Sequence, residues 1–189
     1  MEMTRTSSLL RTQRGTSLLE VLITIVILAI GLLGLAGLQA RLQSSEMEAY
    51  QRAQALVLIN DMASRIATNR TAAASYVTGA DDPLGVDGCP TATATQQERD
   101  VKEWCEALQG SSETLGGSNV GAMVGGRGCV EDIGGGEYLI TVAWQGLTPI
   151  SAPAPACGQN LYDGDAGSTC TGDLCRRVMT TIIRIGNLT

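Results

Sequence analysis

The sequence predicts an α+β fold, with a long N-terminal α-helical stem packed against a small antiparallel β-sheet and stapled by disulfides. Three observations carry this expectation. An apolar run begins near Val21, and no proline interrupts the chain before Pro83. The clearest period-two alternation lies far downstream, at Tyr138 to Gln145. All six cysteines (Cys89, Cys105, Cys129, Cys157, Cys170, Cys175) sit between those landmarks or beyond them. A length of 189 residues allows one domain of ordinary size.

Composition excludes several functions. The chain has no His and no Phe, so His-dependent triads and His-based zinc chemistry have no candidates. The net charge of −6 is the sum of two unlike parts: residues 1–70 carry +2 and residues 71–189 carry −8. A nucleic-acid binder needs a basic face, which this distribution does not supply. No nucleophile has a recognisable base, so the chain reads as no enzyme and calls for no cofactor.

Residues 1–15 form a short basic leader with Arg5, Arg11 and Arg14 against Glu2. Val21 to Ala40 carries no charge, and twenty such residues make a helix of about 30 Å, the thickness of the bilayer's hydrocarbon core. A buried core helix is the alternative, but such helices are seldom apolar on every face for so long. The arginines ahead of the run place the N-terminus in the cytoplasm and the rest of the chain outside. Cleavage after Ala40 by an ordinary signal peptidase fits poorly, because the run is too long and Leu38 is a poor residue at that site. Leu42, Ala49, Ala53, Leu56, Ala63 and Ile66 then recur at helical spacing, predicting that the amphipathic half buries that stripe. The helix is expected from Ser17 to about Thr68, roughly 78 Å at 1.5 Å per residue. Gly31, Gly34 and Gly37 admit two readings, close packing against other helices or the ordinary glycine content of membrane helices.

Gly15, then Thr16-Ser17-Leu18-Leu19-Glu20, then the unbroken apolar run resembles the class III signal of type IV pilins and pseudopilins. That resemblance implies cleavage between Gly15 and Thr16 by a prepilin peptidase, N-methylation of Thr16, and Glu20 at the fifth mature position. Thr16 stands where the family usually has Phe. A carboxylate near lipid usually has a partner; here the implied partner is the free amine of a neighbouring subunit, which makes Glu20 a subunit-assembly residue. Cutting ahead of the apolar run keeps that run as the anchor.

The head is expected to begin with a loop, Thr71 to Pro90. Thr95-Gln96-Gln97-Glu98 is a capping box, and Val101, Trp104, Cys105 and Leu108 form the buried stripe of a short helix ended by Gly110. Residues 111–128 read mostly as loop. Cys129 to Ile133, a Gly134-Gly135-Gly136 turn and Glu137 to Gln145 read as a β-hairpin, with Tyr138, Ile140, Val142 and Trp144 on one face. A last strand is expected from Arg177 to Ile185. Six cysteines facing an oxidising space fit three disulfides. Cys89 with Cys105 is the local expectation, leaving Cys129, Cys157, Cys170 and Cys175 to share two more. A zinc site lacks any C-x-x-C spacing. Asp163-Gly164-Asp165 opens like a calcium loop but has Ser168 at the glycine position and Leu174 at the twelfth, so it reads as an exposed acidic turn. Arg176-Arg177 reads as a solvated edge or ion-pair site. No metal is implied.

Gly128-Cys129-Val130, the strand YLITVAWQ from Tyr138 to Gln145, Cys175-Arg176-Arg177-Val178 and the stem segment Leu28 to Gln39 look like the pattern of the PilV family, the type IV pilus modification proteins. The resemblance implies a type IV pilin fold and four parts: a leader (1–15), a transmembrane half of the N-terminal helix (16–40), its amphipathic half (41–70) and a periplasmic globular head (71–189). It implies a minor pilin that helps prime pilus assembly in a tip complex, supporting adhesion and twitching motility. The implied partners are other minor pilins, the major pilin, a large tip adhesin, the prepilin peptidase and the inner-membrane assembly platform. The alternative is a minor pseudopilin of a type II secretion system.

Overall fold

The computed structural model describes residues 17–111, 114–116, 118–119 and 123–186. Its first element, α1, is one helix of 51 residues, Leu18–Thr68. The chain divides into two compact units, and the division falls within this helix, between Gln43 and Ser44. In the first unit every described residue from 17 to 43 is exposed. Leu28, Ile30, Leu32 and Leu33 each leave more than 60% of their surface bare. A helix this apolar with no protein around it is what lipid, rather than water, accommodates.

In the second unit α1 supplies one wall of the core. A short 3₁₀ helix, Arg70–Tyr76, follows it directly, so the expected loop from Thr71 begins with a helical turn. Ala72 to Ala74 carry the small side chains such a tight turn tolerates, and Ala73 and Tyr76 bury against the core. Helix α2 is Gln96–Leu108, opened by the capping box. The Thr95 hydroxyl accepts from the Glu98 N–H at 3.1 Å, and the Glu98 carboxylate accepts from the Thr95 N–H at 2.9 Å. Asp100, Val101, Trp104, Cys105 and Leu108 are its buried face.

Strands β1 (Thr114–Leu115) and β2 (Ser118–Asn119) are a two-residue antiparallel pair in the stretch expected as loop. The main sheet has three antiparallel strands in the order β3 (Arg127–Gly134), β4 (Glu137–Gln145), β5 (Arg176–Arg184). The β3–β4 hairpin closes through Gly135 and Gly136, both at positive φ (64° and 75°), which a two-residue turn matching the strand twist requires.

One sheet face carries Val130, Tyr138, Ile140, Val142 and Trp144 against Leu58, Ile59, Met62 and Ile66 of α1 and the apolar stripe of α2. Trp104 locks the three elements together. Its indole N–H donates to the Leu58 carbonyl at 2.8 Å, and its ring lies so close to β3 that a Cβ at Gly128 would sit 2.3 Å from it. The reverse face is covered at one end by Cys157 and Tyr162, which pack on Cys129 and Ala143.

The buried stripe of α1 differs from the one its spacing predicts. Gln51, Ala55, Leu58, Ile59, Met62 and Ile66 are buried. Of the expected set, only Ile66 is buried: Leu42, Ala49, Ala53 and Leu56 are exposed, and Ala63 is half-buried. The reason is local. Ala55 to Ile59 is apolar all round the helix, so spacing cannot select a face; contact with the sheet takes Leu58 and Ile59 and leaves Leu56 and Val57 bare.

Three disulfides join the head: Cys89–Cys105, Cys129–Cys157 and Cys170–Cys175. The first ties the loop before α2 to that helix, the second ties β3 to the segment covering the reverse face, and the third closes a short loop leading into β5.

Candidate functional site

Gly15 and Thr16, the residues read as the processing and methylation sites, lie outside the described residues. Glu20 lies in the first turn of α1, where a carboxylate complements the positive end of the helix dipole. Its backbone N–H donates to the Ser17 carbonyl at 2.9 Å, and its side chain is exposed among Leu18, Leu19, Val21 and Leu22. Among the described residues it has no ion-pair partner. A carboxylate set in an apolar helical surface is costly to bring into lipid without a cation beside it.

The glycines of this segment have no packing duty within the described chain, because a Cβ at Gly31, Gly34 or Gly37 would meet nothing within 4 Å. Further along α1, Ala49, Ala53, Leu56, Val57 and Ala67 form an exposed face of small and apolar side chains turned away from the sheet. Together these give α1 surfaces on which another helix can approach closely.

Two polar clusters hold the head, the first partly exposed and the second buried. In the first, Arg65 meets three carboxylates: Asp61 at 2.9 Å, Asp100 at 3.0 Å and Glu103 at 2.8 Å. Asp100, buried on α2, also accepts from Gln96 at 2.9 Å and from the Tyr76 hydroxyl, which in turn accepts from Asn69 at 3.0 Å. Burial works against the Arg65 charge, but hydrogen bonds to Glu103, Asp61 and Asp100 outweigh it and raise its pKa. Burial, then the bond donated to Asp100, pushes the Tyr76 phenol up to about 12. No signal in the sequence singled out this cluster, since its members lie on three separate elements.

The second cluster makes Arg176-Arg177 the ion-pair site of the two readings and not the solvated edge: both residues are buried, and each reaches a carboxylate. Arg176 donates to the carbonyls of Cys157 at 3.0 Å, Pro153 at 3.1 Å and Pro155, and pairs with Asp173 at 3.2 Å. Arg177 donates to the carbonyls of Leu174 and Thr148 and reaches Glu48 of α1 at 3.5 Å. Loops leave carbonyls without a ladder partner, and a guanidinium with five donors can gather several at once. The Asp173–Arg176 spacing was the available hint. Tyr162, whose hydroxyl donates to the Gly125 carbonyl at 2.8 Å, has its pKa raised by burial.

The acidic turn at 163–168 is exposed, and the Asp163 carboxylate is engaged by the N–H groups of Gly172 (3.0 Å) and Asp173 (2.8 Å). Among the described residues no group of three His, Cys, Asp or Glu side chains is placed to hold a metal.

Residues 10–36 match the family model of the prokaryotic N-terminal methylation motif. That motif, the class III prepilin signal, supports a type IV pilin or pseudopilin in general, and its family is structural rather than enzymatic. With the long apolar helix that follows, it points to anchoring in a membrane. No curated protein and no solved structure matches the chain.

Proposed function

We propose that the chain is a minor pilin of the type IV pilus, of the PilV kind, that helps prime filament assembly in a tip complex with other minor pilins. The observation that carries this is the methylation motif at 10–36 and a helix that is exposed and uncharged from Val21 to Ala40. In this reading a prepilin peptidase cuts between Gly15 and Thr16 on the cytoplasmic side. The apolar half of α1 then holds the subunit in the inner membrane with its head in the periplasm. Glu20 neutralises the N-terminal amine of a neighbouring subunit, a pairing strengthened where water is excluded. The exposed Ala49, Ala53 and Leu56 face of α1 packs on other stems, and the disulfide-stapled head meets the minor pilins, the major pilin and a large tip adhesin.

Mass spectrometry of sheared pili tests the proposal. The expected result is a small amount of this chain, beginning at Thr16 and carrying an N-methyl group, with piliation and twitching strongly reduced by Glu20→Ala. A mature chain that begins elsewhere, or full assembly with Glu20→Ala, overturns it. Normal pili together with lost protein secretion on deletion would assign the chain to a type II secretion system instead.

A further inference from the structure

The two edges of the main sheet are treated differently by the fold. The β3 edge is covered: the Val130 carbonyl accepts from the N–H groups of Thr78 (3.0 Å) and Gly79 (3.1 Å), the Val130 N–H donates to the Thr78 hydroxyl (3.1 Å), and Leu84 and Gly128 exchange bonds at 2.9 and 3.2 Å. Among the described residues the β5 edge has no such cover. At the two ends of the β4–β5 ladder, Gly146 donates to the Cys175 carbonyl (2.7 Å) and Ile185 donates to the Gly136 carbonyl (2.8 Å). In an antiparallel pair, residues bonded to the neighbouring strand alternate with residues whose N–H and C=O point away. Odd-numbered residues from 175 to 185 therefore face β4, and Val178, Thr180, Ile182 and Arg184 turn their backbone groups outward. No described residue meets those groups.

Among the described residues, nothing blunts the middle of this edge, from Val178 to Ile182. The nine β4–β5 pairs run in unbroken register, no proline occurs in the strand, and the six residues between Arg177 and Arg184 are uncharged. Thr180 is exposed, and Ile182 is 57% exposed on the sheet's reverse face. Exposed edges of this kind are ordinarily protected by charge, bulges or cover, as β3 is. A row of four outward N–H and C=O sets specifies its occupant as an extended strand, whatever its side chains.

We infer that the outer edge of β5 is a strand-addition site for an extended segment of a different protein, one that carries β-branched or apolar residues to meet Thr180 and Ile182 and a carboxylate to meet Arg184. Charge selects a different protein over a second copy. Two-fold pairing of β5 with itself sets Arg184 of each copy opposite Arg176 of the other when centred on Thr180 and opposite Thr180 when centred on Ile182, so β5 of a second copy offers Arg184 no carboxylate. Arg184 is itself only loosely held, 3.9 Å from Glu137 with its side chain 75% exposed. Main-chain bonds supply the affinity of such an addition and the alternate side chains its specificity. The inference rests on the head's own geometry and stands apart from the pilus reading.

The test uses the full-length chain in detergent micelles with two acetylated hexapeptides as probes, EVTVTV and KVTVTV, read by amide hydrogen exchange and by binding titration. The amides of Val178, Thr180, Ile182 and Arg184 should exchange quickly in the free protein and at least tenfold more slowly with EVTVTV. EVTVTV should bind at least fivefold tighter than KVTVTV, and Arg184→Glu should reverse that preference. Thr180→Pro removes an outward N–H and no ladder bond, so it should keep the sheet and abolish binding; Ile182→Lys, a charged edge, should weaken binding without relying on proline. Four slow amides before any peptide is added, whether from self-pairing or from other cover, overturn the inference. So do equal binding of the two peptides and unchanged binding to Ile182→Lys.

Discussion

Arg65 is one cation serving three carboxylates, and the buried member of that group, Asp100, depends on it most. Arg65→Ala leaves Asp100 with only the neutral donors Gln96 and Tyr76, so a loss of about 2–3 kcal/mol is expected in urea denaturation. Arg65→Lys should recover only part of it, because an ammonium cannot span three partners in fixed directions. Tyr76 gives the cluster an alkaline limit. Its phenol titrates at about 12 in the fold, above an ordinary value near 10 in the unfolded chain, so the native state holds the proton more tightly. That contribution is fully present below pH 10 and is lost as pH rises from 10 to 12. Stability should fall by about 2–3 kcal/mol across that window through this residue alone. Comparing wild type with Tyr76→Phe at pH 9 and pH 11 isolates it, and the variant should show a smaller loss. Neither residue advertised its role in the sequence, because Asp100 lies 35 positions from Arg65 and 24 from Tyr76.

At the scale of elements, close contacts and crosslinks decide. Gly128 lets β3 pass within contact of Trp104, and a methyl group there has no space beside the Trp104 ring and Leu108. Gly128→Ala is expected to cost at least 1–3 kcal/mol and to change the near-ultraviolet dichroism of the tryptophans. The disulfides divide by loop length in the chain-entropy account. Cys129–Cys157 spans 28 residues and should contribute about 3–4 kcal/mol, while Cys170–Cys175 spans 5 and should contribute about 2. Paired Cys→Ala variants, compared by denaturant midpoint, check that order. Helix α2 and the β3–β4 hairpin were legible beforehand because their signals are local: a capping box, a period-four stripe, a glycine turn and an alternating strand. The Arg70–Tyr76 turn was not, since its three alanines favour helix while the flanking threonine and serine favour turns, and seven residues are too few to show a period.

For the whole molecule, the exposed apolar residues of α1 predict membrane residence. The full chain should stay in the membrane pellet after alkaline carbonate extraction, and Ile27→Arg with Leu28→Arg should release much of it, each charge costing about 2.5–3.5 kcal/mol at mid-bilayer. The anchor, the signal around Glu20 and the division between an apolar N-terminal part and an acidic, cysteine-bearing head were determined by the sequence alone. Each is a property of composition or of neighbours within a few residues, which no tertiary contact is needed to establish. Tertiary structure decided the rest. It chose the Leu58 and Ile59 face of a helix apolar on all sides, joined Cys129 to Cys157 and Cys170 to Cys175, and buried Arg176 and Arg177 among loop carbonyls. It also covered one sheet edge and left the other open. These outcomes depend on which distant segments meet, and a side chain's environment is a property of the segments that close around it rather than of its own neighbours along the chain.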